Sequence, residues 1–201
     1  MAITTYAELQ TACANWLHRA DLTTYIPDFI MLGETRIYRE VRTKDMETSF
    51  SDTIASGTIA LPTSYIDLKF AYINRSPVQW LDRKPAAWIY QNYPNRSSEG
   101  IPTTIAREGS TFIFGSYPDS DYPVTGVYYK NLGTVSSTAH ALFTNNPDLY
   151  LFAALSEAEP YLKNDARVAL WKAKYNEIRD QVNQFADQED HSGSNLRMTP
   201  A

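Results

Sequence analysis

The sequence predicts an α+β protein: a helical bundle built from the N- and C-terminal helices, with an inserted antiparallel β-rich subdomain and a flexible C-terminal tail. Three observations carry this. Near both chain ends, apolar residues recur at steps of three and four, the helical period; from about Glu47 they alternate with polar ones, the strand period. Past Gln188 few residues remain that a core could bury. Each terminal helix has one apolar face needing cover, and the simplest cover is the helices of the other end. The expected boundaries are 1–46 with 141–188 for the discontinuous bundle, 47–140 for the insertion and 189–201 for the tail.

Thr5 and Glu8 stand three apart, as a capping box requires: the hydroxyl accepts from the third helical N–H while the carboxylate reaches back to the cap. Leu9, Ala12, Cys13, Trp16 and Leu17 then share one face. The stretch Asp21-Leu22-Thr23-Thr24 ends this helix and supplies candidate caps for the next. Pro27 fits a first helical turn, where its missing N–H breaks no bond. Ile26, Ile30, Gly33, Ile37 and Val41 form the second helix's core stripe. Gly33 costs about 1 kcal/mol of helix propensity relative to Ala, so another backbone is expected close to it. Arg36, Arg39 and Arg42 follow a neighbouring face, interleaved with Glu34, Glu40 and Asp45: a solvated or subunit-bridging face whose arginines are candidates for inter-subunit contacts.

In the middle, Gly57 to Leu61 reads as a strand ending at Pro62. Ile66, Leu68, Phe70 and Tyr72 alternate with Asp67, Lys69 and Ala71, as in a strand with one covered face. Thr103–Arg107 and Thr111–Phe114 flank Glu108-Gly109-Ser110, a loop suited to a hairpin with a bulge. Pro85 is placed to begin a short helix over the sheet. After the Tyr117-Pro118-Asp119-Ser120-Asp121 turn, Val124–Lys130 forms a further strand. Helical period returns at Asn146-Pro147-Asp148, a cap, a first-turn proline and an acid that complements the dipole. Pro160 must kink or end that helix. Asn164-Asp165 caps the last helix, where Val168, Trp171, Tyr175, Ile178, Val182 and Phe185 make a heptad seam that demands a partner.

The 201 residues are 43% hydrophobic, enough for one core that buries ~70% of the unfolded surface. A net charge of -5 lacks the positive field that gathers phosphates, which disfavours dedicated nucleic-acid binding. Cys13, the lone cysteine, falls on an apolar stripe and reads as a buried hydrophobe. No basic start, signal-like run or membrane-length apolar stretch is present, so a soluble chain without a membrane association is expected. His18, His140 and His191 show no i, i+4 pair for zinc, and nucleophile-elbow, dinucleotide and phosphate-loop signatures are missing. Asp119 and Asp121 read as turn residues before they read as a cation site or a carboxylate pair for glycoside hydrolysis. Trp80, Trp88, Tyr90 and Tyr93 with Asn92 and Asn95 have the composition of a sugar-binding face, although strands and interfaces favour the same aromatics. No catalytic residue, cofactor or metal is expected.

The segment Asn146-Pro147-Asp148-Leu149-Tyr150-Leu151-Phe152-Ala153-Ala154-Leu155-Ser156-Glu157-Ala158-Glu159-Pro160-Tyr161-Leu162, with Ala169 through Tyr175, resembles the head-to-tail adaptor (connector) family of tailed bacteriophages. Thr5-Tyr6-Ala7-Glu8-Leu9, Asn15-Trp16-Leu17 with Arg19, Ile26 through Ile30, Glu34, Arg36-Ile37 and Arg39 are similar to the family's N-terminal helices. Pro62, Tyr65, Gly100-Ile101-Pro102, Tyr117-Pro118 and Tyr128-Tyr129 match its β portion more loosely. The resemblance implies a non-enzymatic virion protein at the head–tail interface, a homo-oligomeric ring, expected dodecameric, between the portal protein and a downstream tail or nozzle protein. DNA would pass through the lumen without specific binding, so a net-negative lumen surface is expected. Leu196, Arg197 and Met198 are then candidates for a tail that orders on docking to the portal. A carbohydrate-binding tail module, on the aromatic residues named above, or another tail structural protein is the alternative.

Overall fold

A computed structural model describes residues 2–96, 98–158, 161–162 and 166–191. They divide into two units: Met1–Asp45 with Leu132–Ala201, and Met46–Asn131. Six helices and two sheets among the described residues make an α+β chain.

In the first unit, α1 (Tyr6–Leu17) opens on the expected capping box: the Glu8 N–H donates to Thr5 Oγ1 at 3.3 Å and the Thr5 N–H donates to Glu8 Oε2 at 3.0 Å. Leu9, Ala12, Cys13 and Leu17 are buried, whereas Trp16 is 45% exposed, with its ring edge-on to Phe152. A 3-10 turn over Ala20–Tyr25 leads directly into α2 (Ile26–Glu40). The candidate caps there go unused, because Tyr25 at the cap position is already in the right-handed helical region, not the extended one that side-chain capping needs. Asp21 pairs with Arg19 instead. Pro27 sits in the first turn, and Ile26, Ile30, Gly33, Ile37 and Val41 are all buried.

α5 (Pro147–Glu157) packs against α1, α2 and α6 (Ala166–His191), which explains why it is apolar most of the way round. At Gly33 a Cβ would lie 2.9 Å from the Ala154 nitrogen and 3.0 Å from the Ala153 carbonyl carbon, so α2 and α5 meet backbone to backbone. A short α4 (Ala141–Asn145), not foreseen from periodicity, precedes α5; His140 caps it by accepting from the Phe143 N–H. Asn146 consequently closes α4, its amide donating to the Leu142 carbonyl, and makes no side-chain cap on α5. α5 ends at Glu157; Pro160 and the Asn164-Asp165 cap lie outside the described residues.

In α6 the heptad seam is covered over its first half, where Val168, Trp171 and Tyr175 are buried; Ile178 and Val182 are half-buried and Phe185 is 62% exposed. The helix runs on past Gln188 through Glu189, Asp190 and His191, with Lys44 3.9 Å from Asp190. Its charges are unevenly spread along its length. Residues 166–178 hold Arg167, Lys172 and Lys174 against Glu177, whereas 179–191 hold Asp180, Asp187, Glu189 and Asp190 against Arg179.

The second unit has two four-stranded sheets, in the orders β1-β8-β3-β4 and β2-β7-β6-β5. The first comprises β1 (Glu47–Ile54), β8 (Tyr122–Lys130), β3 (Tyr65–Ile73) and β4 (Gln79–Trp80), all antiparallel. The second comprises β2 (Thr58–Ala60), β7 (Thr111–Gly115), β6 (Thr104–Glu108) and β5 (Asp82–Arg83), of which β5 runs parallel to β6. Ile54, Leu68, Ile73 and Val124 from one sheet and Ile59, Ile105, Phe112 and Phe114 from the other share a core. The opposite face of the second sheet is covered by α3 (Ala86–Asn92), which begins after Pro85; Ile89 there packs on Ala106 and Ile113. Two covered faces account for the unbroken apolar run of β7.

Two strand expectations need correction. β3 does not keep one covered face: register shifts between Tyr65 and Asp67 and between Leu68 and Phe70 flip the alternation. Leu68 is therefore buried, Phe70 is exposed, and Ala71 and Ile73 turn inward. The β6–β7 hairpin is tighter than a three-residue loop, since Glu108 pairs with Thr111 and Gly109, at φ 57, takes the first loop position.

Candidate interaction surface

The arginine series of α2 does not act as one face. Arg36 is drawn inward: its guanidinium lies 4.1 Å from the Tyr175 ring centroid and donates to Glu40 Oε1 at 3.1 Å, Ser156 Oγ at 3.3 Å and Asn176 Oδ1 at 3.3 Å. Glu40 also accepts from the Tyr175 hydroxyl and from Arg179, each at 3.0 Å. Burial works to raise the Glu40 carboxyl, but hydrogen bonds from Arg179, Arg36 and Tyr175 outweigh it, and the group ends below its ordinary value. The network ties α2, α5 and α6 together. Arg42 closes the C-terminus of α2, donating to the Tyr38 and Val41 carbonyls, while Asn183 of α6 takes the Arg42 N–H and gives its amide to the Glu40 carbonyl. Arg39 remains exposed, with no hydrogen bond or ion pair among the described residues; it borders a recess of about 450 Å³ with Leu32, Thr35 and Lys172.

Glu34 is not on the solvated face either. It is 5% exposed, and its carboxylate accepts from the Val135 N–H at 2.7 Å, pinning the 132–140 segment to α2. Burial raises its carboxyl above the ordinary value, against the lowering effect of that bond. Beside it the Tyr38 hydroxyl donates to the Gly133 carbonyl at 2.6 Å, and burial, followed by the Glu34 charge, pushes Tyr38 up to about 12.

The two ends of α6 present different apolar surfaces. Near its start, Leu170 is 59% exposed beside Trp16, and Arg167 donates to the Trp16 carbonyl at 3.3 Å while lying over the Trp171 ring. These residues line a shallow recess of about 430 Å³. Near the end of α6 a groove of about 470 Å³ is lined by Ile178, Val182 and Phe185 together with Asp45, Asp148 and Glu189; Lys44, which also lines it, is near Asp190. The heptad pattern signalled the groove floor, but not that it is left open.

The chemistry-bearing candidates disperse. Asp119 and Asp121 are exposed turn residues, Asp119 accepting from the Tyr122 hydroxyl. His140 serves as a helix cap, and burial lowers its pKa. Burial pushes the Cys13 thiol up to about 12. Among the described residues no cluster of His, Cys, Asp or Glu is arranged to hold a metal, and no helix is long and apolar enough to cross a membrane. The aromatic set divides: Trp80 joins Phe70 and Tyr72 on the first sheet, whereas Trp88 contacts Tyr93 and the Tyr90 hydroxyl donates to Glu108 beside the second. Leu196, Arg197 and Met198 lie outside the described residues. The interhelical network of Glu40, Tyr175, Asn176, Arg179 and Asn183 was not anticipated; its one sequence signal is the polar stripe 176, 179 and 183 beside the apolar seam.

Compared with known proteins, the chain matches one family over residues 4–199, the family described as SU10 adaptor protein. No curated protein matches it.

Proposed function

Because this chain belongs to the SU10 adaptor protein family, we propose that it is a structural, non-enzymatic adaptor of a tailed-phage virion, a subunit of a ring between the portal and the next tail component. The observation that carries the reading is that the family match spans nearly the whole chain, both units included. The ring is dodecameric, it sits at the head–tail interface, and DNA passes through its lumen without specific binding. The net charge of -5 supports a conduit that does not hold DNA, since each cation on the wall would add counterion release and sticking. The exposed apolar residues Met31, Leu32, Leu170 and Phe185 support a chain that completes its surface by assembly.

In this reading the helices of 1–46 and 141–188 work as a bundle, 47–140 as an insertion and 189–201 as a tail, with Leu196, Arg197 and Met198 docking on the portal. Arg39 is the arginine of its series with side-chain donors to offer a neighbouring subunit. The test is imaging of portal-bearing heads with and without the purified chain. A ring below the portal is expected, along with loss of attachment on truncation after His191; heads that bind no chain reject the adaptor reading.

A further inference from the structure

We propose that copies of this chain join head to tail through α6, the acidic groove at its C-terminal end receiving the Trp16–Leu170 end of a second copy. The inference rests on the ring reading and names its contact surface.

Three observations converge. The first is charge: the second half of α6 is acidic and the groove adds Asp45 and Asp148, whereas the first half is basic and its exposed apolar patch carries Arg167. An acidic end laid against the basic end of a second copy gains attraction. The second observation is the apolar content: Phe185 at 62% and Leu170 at 59% are the most exposed large aliphatic or aromatic residues of this helix, and each stands at one of the two charged ends. Phe185 and the half-buried Ile178 and Val182 form one surface with charged neighbours; Leu170 and Trp16 form the other beside Arg167, so each face combines apolar side chains with charge, as specific interfaces do.

The third observation is that the two patches differ. The groove includes Lys44, Asp45 and Asp148, brought from outside α6, while the other end includes Asn15, Trp16 and His18 of α1 and its cap. Unlike patches in contact make a heterologous interface, which repeats from copy to copy and closes into a ring when the rotation allows.

The test uses the full chain, free and on portal-bearing heads, with Phe185→Asp and Leu170→Asp. Both side chains are more than half exposed, so each variant keeps its fold, checked by circular dichroism. Each alone is expected to lose copy-to-copy association by on the order of tenfold or more. A mixture of the two retains one intact pair of faces and is expected to give complexes of two copies that grow no further. Phe185→Cys and Leu170→Cys chains are expected to form a disulfide between copies under oxidation when mixed. Rings formed by either aspartate variant as readily as by the wild type overturn this surface while leaving the ring reading intact. A wild-type chain that stops at a two-fold dimer overturns the head-to-tail arrangement, and one that stays single even on portal-bearing heads overturns both readings.

Discussion

Replacing Gly33 by alanine sets two known effects against each other. Helix propensity alone gives alanine an advantage of about 1 kcal/mol in an interior position. Against this, the new Cβ would stand 2.9 Å from the Ala154 nitrogen and 3.0 Å from both the Ala153 carbonyl carbon and its Cβ. Two of those three atoms are backbone, so no side-chain rotation relieves the clash. α2 and α5 must part by about 0.5 Å to restore ordinary contact, and a gap of that size forfeits about a quarter of the dispersion well for each contact it opens. Ile30 and Ile37 on one helix and Ala153 and Ala154 on the other are all buried at this crossing. With overpacking costing ~1–3 kcal/mol against that advantage, Gly33→Ala is expected to lose up to about 2 kcal/mol net, a Tm lower by as much as ~8 °C for a chain of this size. Adding Ala153→Gly should not restore the loss, because the closest clash is with the Ala154 nitrogen. Urea unfolding followed by far-UV circular dichroism, which reports the helices, measures it. A gain of about 1 kcal/mol for Gly33→Ala would refute the backbone contact.

Arg36→Lys keeps the charge but loses the planar stack on Tyr175 and the fork that reaches three partners, and should cost about 1–2 kcal/mol by the same assay. Arg39→Ala, with no hydrogen-bond or ion-pair partner to lose among the described residues, should stay within about 0.5 kcal/mol of wild type, so that any defect in head attachment it shows is an assembly defect. Glu34 has its folded carboxyl raised by burial, so the folded state holds the proton more tightly than the unfolded one. Its contribution is most favourable below its ordinary pKa and declines as the pH rises through the folded value. Thermal melts should show that decline, and Glu34→Gln, which still accepts from the Val135 N–H, should flatten it; an unchanged pH profile contradicts the assignment. Thr5→Ala removes the cap of α1 and should cost about 1 kcal/mol in chemical denaturation.

What the sequence displayed was whatever depends on neighbours along the chain. The Thr5–Glu8 box, the first-turn prolines of α2 and α5 and the α2 core stripe are local, and periodicity exposes them. The close approach at Gly33 was also legible, because a glycine inside an amphipathic stripe carries a propensity cost that needs a spatial reason. The bulges of β3 were not: Phe70 faces outward because of how β3 registers with β8, which alternation within one strand does not encode. Glu34 read as a surface acid among arginines, since its partner, Val135, is 101 residues away. The seam of α6 is uniform in sequence from Val168 to Phe185, yet Val168, Trp171 and Tyr175 are buried and Phe185 is exposed, a difference set by what packs on the helix and not by its own period.

The register of the first sheet also sets a timetable. Arg36 and Ser156 touch across 120 residues, so at ~5–20 residues per second the nascent α2 waits roughly 6–24 s for α5 to be synthesised. Glu47 lies opposite Tyr129, however, so once β1 and β8 have paired, the tether between Gly33 and Ala154 shrinks to about a third of its length, worth about 1 kcal/mol of closure entropy. The strands thereby act as a clasp for helices made before and after them. Lesions in that clasp should slow the maturation of the helices while leaving every residue of the helical contacts unchanged.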